Sequence, residues 1–430
     1  MAAVAAGFAA LFLLILLRLP IAFAMMLVGA GGVAALVGWL PALAMVQQVT
    51  FDTGLSYELS VVPLFVLMGN LVTRAGLSDE LYAAAHAWLG HRRGGLAMAT
   101  VVACGGFSAI CGSSLATAAT MARVAMPPMR RYGYADSLAA GAVAAGGTLG
   151  ILIPPSVILV LYGIMTGQDI GALFAAGLLP GLLGIAGYVG AIAVVTWRDP
   201  ALGPPAERTG WPARWRATAR VWGVAVLFAL VMGGIYGGVF TPTEAAGIGA
   251  GGGLAFALAR RALDWPALLD VLVRSAETTA MLFFVLIGAL MFANFVNLAG
   301  LPAALSDFVA GLDAPPLAVI AAIVAIYLVL GSVLESLSMV MLTVPVFYPL
   351  VGDLGLDLIW FGIVVVVVTE ISLITPPIGL NVFVLRGVMP ELSLATAFRG
   401  VTPFWIADIF RLAAIVLVPG IALLLPALIR

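Results

Sequence analysis

Residues 107–119 read FSAICGSSLATAA and residues 147–156 read GTLGILIPPS; further on, residues 330–340 read LGSVLESLSMV and residues 369–378 read TEISLITPPI. A shift of 222 positions, Ser114 onto Ser336, also brings Pro127 onto Pro349, Gly133 onto Gly355 and Pro154-Pro155 onto Pro376-Pro377. Both regions are apolar, and both break the rules for a membrane-spanning helix in the same places. The first apolar segment of each is too short for two full spans and carries Gly and Ser at its middle. Residues 111–114, and 331–332 with 335–336, therefore read as tips of re-entrant hairpins. The segment that follows each hairpin is long enough to span but holds a double proline halfway. Proline lacks an N–H and disfavours helix in the residue before it, so carbonyls near 150–153 and 372–375 lose intrahelical partners. In hydrocarbon such carbonyls must be met by protein, water or an ion. Broken helices in corresponding positions of two halves point to a secondary-transporter site near the bilayer midplane, with carbonyls for Na⁺ and helix N-termini for an anion.

The composition leaves room for little else. With 430 residues, 63% hydrophobic and 9% charged, the chain lies far from a soluble domain. The net charge of −1 gives no footing for nucleic acid. All 19 basic residues are arginine, which reads as compositional bias. Cys104 and Cys111 are two helical turns apart on one hairpin arm, too far for a disulfide and without metal-ligand spacing. The two histidines, His86 and His91, fall in an interfacial segment, and no Ser/His/acid set exists for a membrane hydrolase. No G-x-x-x-x-G-K-[ST] motif occurs, so the drive must come from an ion gradient or a partner. The apolar N-terminus has no basic n-region and runs on into another apolar segment, unlike a cleavable signal.

In chain order, segments 2–17 and 20–39 each approach the length of a span, and 41–57 is an interfacial helix and loop. A first repeat covers 58–197: a span at 58–74, an amphipathic helix at 78–89 capped by Ser78, a hairpin at 95–129, a broken helix at 135–166 and a span at 170–197. A polar loop at 198–220 joins the halves, and inter-repeat spans occupy 221–261. A second repeat covers 266–427: an amphipathic lead-in, a span at 279–298, a hairpin at 315–350, a broken helix at 358–386, a short amphipathic piece at 391–399 and a last span at 401–427. The arginine tracts at 91–93, 130–131, 198–220 and 260–261 are separated by even numbers of crossings, which places them all in the cytoplasm. The flanks of the second hairpin, with Asp307, Asp313, Asp353 and Asp357, lie outside, so the repeats are inverted and both termini are periplasmic. The expected fold is an all-α polytopic membrane protein of inverted repeats, with two re-entrant hairpins and two broken helices. In it, the hairpins and broken helices form a mobile unit set against the remaining helices.

GSSLATAA (112–119), PPMRRYGY (127–134), GILIPPS (150–156), TPTEAAG (241–247) and ITPPIGLN (374–381) resemble the large membrane subunit of tripartite ATP-independent periplasmic (TRAP) transporters, the DctM or SiaM type. The resemblance runs over nearly the whole chain. It implies a Na⁺-coupled elevator in the bacterial inner membrane importing an organic acid such as a C4-dicarboxylate or sialic acid. It also implies two partners: a small membrane subunit of the DctQ or SiaQ type and a periplasmic binding protein of the DctP or SiaP type. Carried over by position, one Na⁺ set is Ser108, Cys111, Gly150, Ile153 and Pro155, and a second is Gly331, Ser372, Thr375 and Ile378. Cys111 stands where the family commonly has Ser, and Ser372 where it commonly has Gly. Neutral oxygen ligands suit a hard monovalent cation.

Other residues have two readings each. Ser113, Ser114 and Ser156 belong either to substrate-binding tips or to close helix packing. Glu335 and Glu370 are ionisable groups in apolar sequence, functional by default; Glu335 is expected to order its tip or respond to Na⁺, and Glu370 serves either the site or an unwound segment. Asn381 holds substrate or satisfies a carbonyl. Arg123 snorkels or pairs. Thr241-Pro242-Thr243-Glu244, though part of the family signature, reads fully as a capping box with Pro at N1. A stand-alone ion-coupled carboxylate transporter and a non-transporting channel or scaffold subunit are the rival functions.

Overall fold

The computed structural model describes residues 1–429, which are helical nearly throughout and contain no strand. The chain opens with α1 (Ala2–Leu16), α2 (Ile21–Val37) and α3 (Trp39–Leu55), followed by α4 (Val61–Arg74) and α5 (Leu77–Leu89). The first hairpin is α6 (Gly95–Cys111) and α7 (Ser114–Arg131). The first broken helix is α8 (Asp136–Thr148), a single 3-10 turn, and α9 (Val157–Thr166). Then come α10 (Ile170–Arg198), α11 (Trp211–Arg220), α12 (Trp222–Tyr236), α13 (Pro242–Ala259), α14 (Trp265–Leu298) and α15 (Leu301–Gly311). The second hairpin is α16 (Pro316–Gly331) and α17 (Ser336–Asp353), and the second broken helix is α18 (Leu358–Ile374) and α19 (Leu380–Val388). The chain closes with α20 (Leu394–Leu417) and α21 (Gly420–Ile429). α10, α14, α17 and α20 are each long and apolar enough to cross a bilayer. Four residues join α17 to α16, and these turn the chain back, making α17 a hairpin arm.

Polar contacts tie each hairpin at a different level. In the second, Thr343 donates to the Tyr327 hydroxyl at 2.6 Å. In the first, the Leu96 amide donates to the Tyr134 hydroxyl at 3.0 Å, below the base of the arms. Each hairpin leads into its broken helix through a left-handed turn, Gly133 at φ 75° and Gly355 at φ 71°, a conformation only glycine adopts without strain. Each broken helix interrupts at a cis proline pair, Pro154-Pro155 and Pro376-Pro377. The matched punctuation is therefore matched backbone, and the chain is an all-α protein of two repeats, each with a re-entrant hairpin and a broken helix.

Several local expectations are corrected. Gly76, left-handed at φ 74°, takes the N-cap place assigned to Ser78, which is buried inside α5. The polar loop at 198–220 contains α11, whose Arg214 lies 5.6 Å above the ring of Trp88 and 5.3 Å above that of Trp211. The lead-in to 279–298 and that span are one unbroken helix, α14. The pieces 391–399 and 401–427 divide elsewhere: α20 runs through Pro403 and ends before Pro419, where the missing N–H and fixed φ stop it.

α10 and α20 pack onto the hairpins and broken helices rather than with the remaining helices. α8 and α20 meet backbone to backbone, and a Cβ on Gly141 would overlap the Gly400 carbonyl. The Trp360 indole of α18 donates to the Ile415 carbonyl of α20 at 2.9 Å. A buried polar chain completes the assembly. Thr148 of α8 meets Tyr188 of α10 at 3.1 Å, and Tyr188 donates to Asp408 of α20. Arg411 lies 2.9 Å from Asp408 and is paired with Glu370 of α18. All three charged side chains are at most 2% exposed. Two carboxylates thus depend on one guanidinium in an apolar interior, where removing one partner of a buried pair costs about 3–5 kcal/mol. Arg411→Leu is expected to lower the thermal stability of the purified protein by that order, and Arg411→Leu combined with Glu370→Gln and Asp408→Asn to recover most of it. An unchanged melting temperature for Arg411→Leu alone contradicts a dry, obligatory pair.

Candidate functional site

The two hairpin tips meet across one cleft. Its floor is the first tip, Gly112, Ser113 and Ser114, beside Ile151 and Val157 from the first break. Its roof is the second tip, Glu335, Ser336 and Leu337. α4 contributes Gly69 and Asn70, and α14 contributes Thr278, Met281 and Leu282. The cleft leaves room for about 160 Å³ of solvent. Asn70 is held by the Ser275 hydroxyl of α14 at 2.8 Å, which links the two helices that wall the cleft.

Each tip is made by a helix N-cap, and the caps fall at equivalent positions of the repeats. Ser113 accepts from the Ala116 amide at 3.4 Å to start α7. Glu335, 222 positions on, starts α17 by accepting from the amides of Leu337 and Ser338, each at 3.2 Å. It also accepts from the hydroxyls of Ser336 and Ser338 at 3.3 and 3.1 Å. A carboxylate at this place satisfies two of the four orphan amides of the helix and favours its dipole. Two helix N-termini thus border one cleft: that of α7, capped only by the neutral Ser113, favours an anion, whereas that of α17 already holds the Glu335 carboxylate. Glu335 orders its tip, and its charge is already engaged by donors of its own helix.

The breaks sit directly behind the tips. A Cβ on Gly112 would come 2.8 Å from the Pro155 carbonyl oxygen, and one on Gly150 would come 2.6 Å from the Ser113 oxygen, so the first tip rests on the first break. In the second repeat a Cβ on Gly331 would overlap the Ser372 side chain. The structure therefore brings Gly150 and Pro155 against the tip that carries Cys111, and Gly331 against Ser372. Among the described residues, the carbonyls of Ile153 and Pro155 accept no hydrogen bond, nor do those of Gly331, Thr375 and Ile378. These orphan oxygens fit a cation with no need of a carboxylate. Ser108 and Ser372 turn their hydroxyls back to helix carbonyls, at 2.7 Å to Cys104 and 3.0 Å to Val368. Thr375 does so to the Ser372 carbonyl at 3.4 Å. Donating in this way leaves each hydroxyl its oxygen lone pairs, while the Ser108 carbonyl already accepts from the Gly112 amide at 3.3 Å and the Ser372 carbonyl from the Thr375 hydroxyl.

Other residues lie apart from the cleft. Ser156 caps α9, accepting from the Leu159 amide at 3.3 Å and donating to the Ile151 carbonyl. Asn381 is buried at the start of α19 and donates to the Ala144 carbonyl of α8 at 3.0 Å, joining the two breaks across the repeats. Glu370 lies two positions before Ser372 on α18 and belongs to the Arg411 chain. Thr241 and Glu244 form the full capping box of α13, with the Thr241 amide donating to the Glu244 carboxylate at 2.8 Å. Sequence reasoning overlooked Asp408 and Arg411, although an acid and a base three positions apart in an apolar span were a visible signal. Asn70 and Thr278 gave none, because isolated amides and hydroxyls in spans are common.

Comparison with known proteins agrees with this architecture. Residues 8–421 match the family described as "Tripartite ATP-independent periplasmic transporter, DctM component". The chain is 36% identical over 379 residues to the C4-dicarboxylate TRAP transporter large permease protein DctM of Pseudomonas aeruginosa, covering 87% of this chain and 88% of the relative. It is 34% identical over 422 residues to the 2,3-diketo-L-gulonate TRAP transporter large permease protein YiaN of Escherichia coli, covering 95% and 96%. The crystal structure of the Alcanivorax borkumensis YdaH transporter superposes with a TM-score of 0.63 over 89% of each chain at 15% identity, a likeness of fold. Paired hairpins, paired breaks and near-complete family coverage lead to one conclusion: the chain belongs to the DctM, or large permease, component family of the tripartite ATP-independent periplasmic transporters.

Proposed function

We propose that the chain is the permease of a Na⁺-coupled importer of a small organic acid, working with a small membrane subunit and a soluble periplasmic binding protein in the bacterial inner membrane. The observation that carries the reading is the single cleft between two helix N-termini, backed by orphan carbonyls at both tips and breaks. Both relatives compared above are named for carboxylate substrates, which suits an anion held at the α7 N-terminus. Na⁺ is cargo in this scheme. Bound behind each tip, it offsets the negative ends of broken helices and draws tip and break together, and the organic acid is held only when both tips are ordered. α6–α10 and α16–α21 move as one body, tied by the Arg411 chain, against α1–α4 and α12–α14.

The reading is tested by reconstituting the purified chain with a partner subunit and binding protein and titrating Na⁺. Uptake is expected only with all three components and a Na⁺ gradient. Uptake by this chain alone from free substrate contradicts it. Loss of an N-cap costs about 1 kcal/mol, or roughly fivefold in an equilibrium. Glu335→Ala is therefore expected to raise the half-saturating Na⁺ concentration about fivefold with the protein still folded; unchanged Na⁺ dependence would make Glu335 a structural cap alone.

Orientation is set in this reading by the arginine tracts, with 91–93, 130–131 and 260–261 in the cytoplasm and the flanks of the second hairpin outside. A cysteine replacing Arg208 is expected to react with an impermeant thiol reagent only from the cytoplasmic side, and one replacing Asp307 only from the periplasmic side. Reaction of both from one side refutes the inverted arrangement.

A further inference from the structure

Beside the tip cleft lies a second, wider one of about 600 Å³, and Asn70 lines both. The same three helices wall the two clefts at successive turns. On α7, Ala116 faces the first, and Thr120 and Arg123 face the second; on α14, Thr278 is followed by Arg274 and Asp270; on α4, Asn70 is followed by Thr73 and Arg74. The two clefts therefore form one route leading from the tips toward the arginine-bearing ends of the helices. Three arginines, Arg74, Arg123 and Arg274, meet two aspartates, Asp79 and Asp270, along the second cleft. Arg274 is paired with Asp270 at 2.8 Å. Among the described residues, Arg123 has no carboxylate within 4.0 Å.

Arg123 is out of place for a lipid-facing or packing role. It sits nine positions after Ser114, about 13 Å along α7 from the tip. It is exposed, and its surroundings are the walls of a polar cleft. A guanidinium presents five donors in a flat fork that matches a carboxylate, and no group of this chain uses the fork here. Positive charge in a low-dielectric cleft also raises the local concentration of an anion.

We infer that Arg123 is a second binding station for the organic acid, taking its carboxylate between the tip cleft and the cytoplasmic face. Arg74 supports it with charge, and Thr120 and Asn70 offer hydrogen bonds along the way. Asp79 and Asp270 keep the cleft from becoming a trap for the anion. This rests on the importer reading above and on its orientation, and it adds a site through which the acid leaves or re-enters from the cytoplasmic side.

The test is uptake of succinate, a C4-dicarboxylate of the class named for one relative, by the reconstituted complex into vesicles preloaded with graded amounts of the same acid. Binding protein is added outside only, so that right-way-round molecules alone report. Luminal acid inhibits uptake by occupying the station from the cytoplasmic side. Loss of one charge-assisted fork is expected to raise the inhibitory luminal concentration about tenfold in Arg123→Gln, with the half-saturating Na⁺ concentration unchanged. Arg123→Lys, which keeps the charge without the fork, is expected to raise it by about threefold, and it decides the matter should Arg123→Gln fail to insert. Uptake with the same luminal inhibition in both variants as in the unaltered complex overturns the station and leaves the importer reading standing. No uptake by the unaltered complex overturns the importer reading, and the station with it.

Discussion

A backbone carbonyl in hydrocarbon has to find a partner, and this chain deliberately leaves several without one. The cis proline pairs at 154–155 and 376–377 interrupt two helices in the apolar interior. Around them, oxygens of Ile153, Pro155, Thr375 and Ile378 accept nothing from the protein. The hairpin tips press on these breaks, and the small residues Gly112, Gly150 and Gly331 exist at the contact points because any Cβ would collide. Packing, capping and charge are all arranged around that deficit.

The second constraint is that the parts carrying the breaks must move, if they move, without coming apart. The chain Thr148–Tyr188–Asp408–Arg411–Glu370 crosses four helices and both repeats. Asn381 reaching Ala144 adds another tie across the repeats. Buried ionic groups are weak as sources of stability, but they fix which partners meet. Their placement within the hairpin and broken-helix body, away from the cleft, is consistent with holding that body rigid while the cleft between tips stays open.

The repeat was legible because its signals are the residues whose backbone chemistry is most restrictive. Gly133 and Gly355 mark left-handed turns, and the proline pairs mark breaks, so a shift of one half onto the other exposed them despite sparse identity elsewhere. Hairpin and broken-helix limits followed within a few residues. The Asp408–Arg411 half of the polar chain was visible as an acid and a base three positions apart, but its pairing with Glu370 was not, because that depends on how α18 packs on α20, 41 positions away. Ser78 misled for a simpler reason: a good capping residue stood near a glycine that could take the left-handed conformation and end the turn earlier. At the site, the sequence marked Glu335 as a group that orders its tip, but its capping of α17 and the walls provided by Asn70 and Thr278 required the structure.

The central claim is that a cation at the breaks orders both tips together. Hydrogen–deuterium exchange of residues 112–116 and 332–338 in the purified protein, in Na⁺ and in K⁺ at equal ionic strength, tests it most directly. The account predicts slower exchange at both tips in Na⁺ alone, appearing over the same concentration range and deepening when the organic acid is added. Exchange that is the same in the two salts, or protection of one tip without the other, would contradict it.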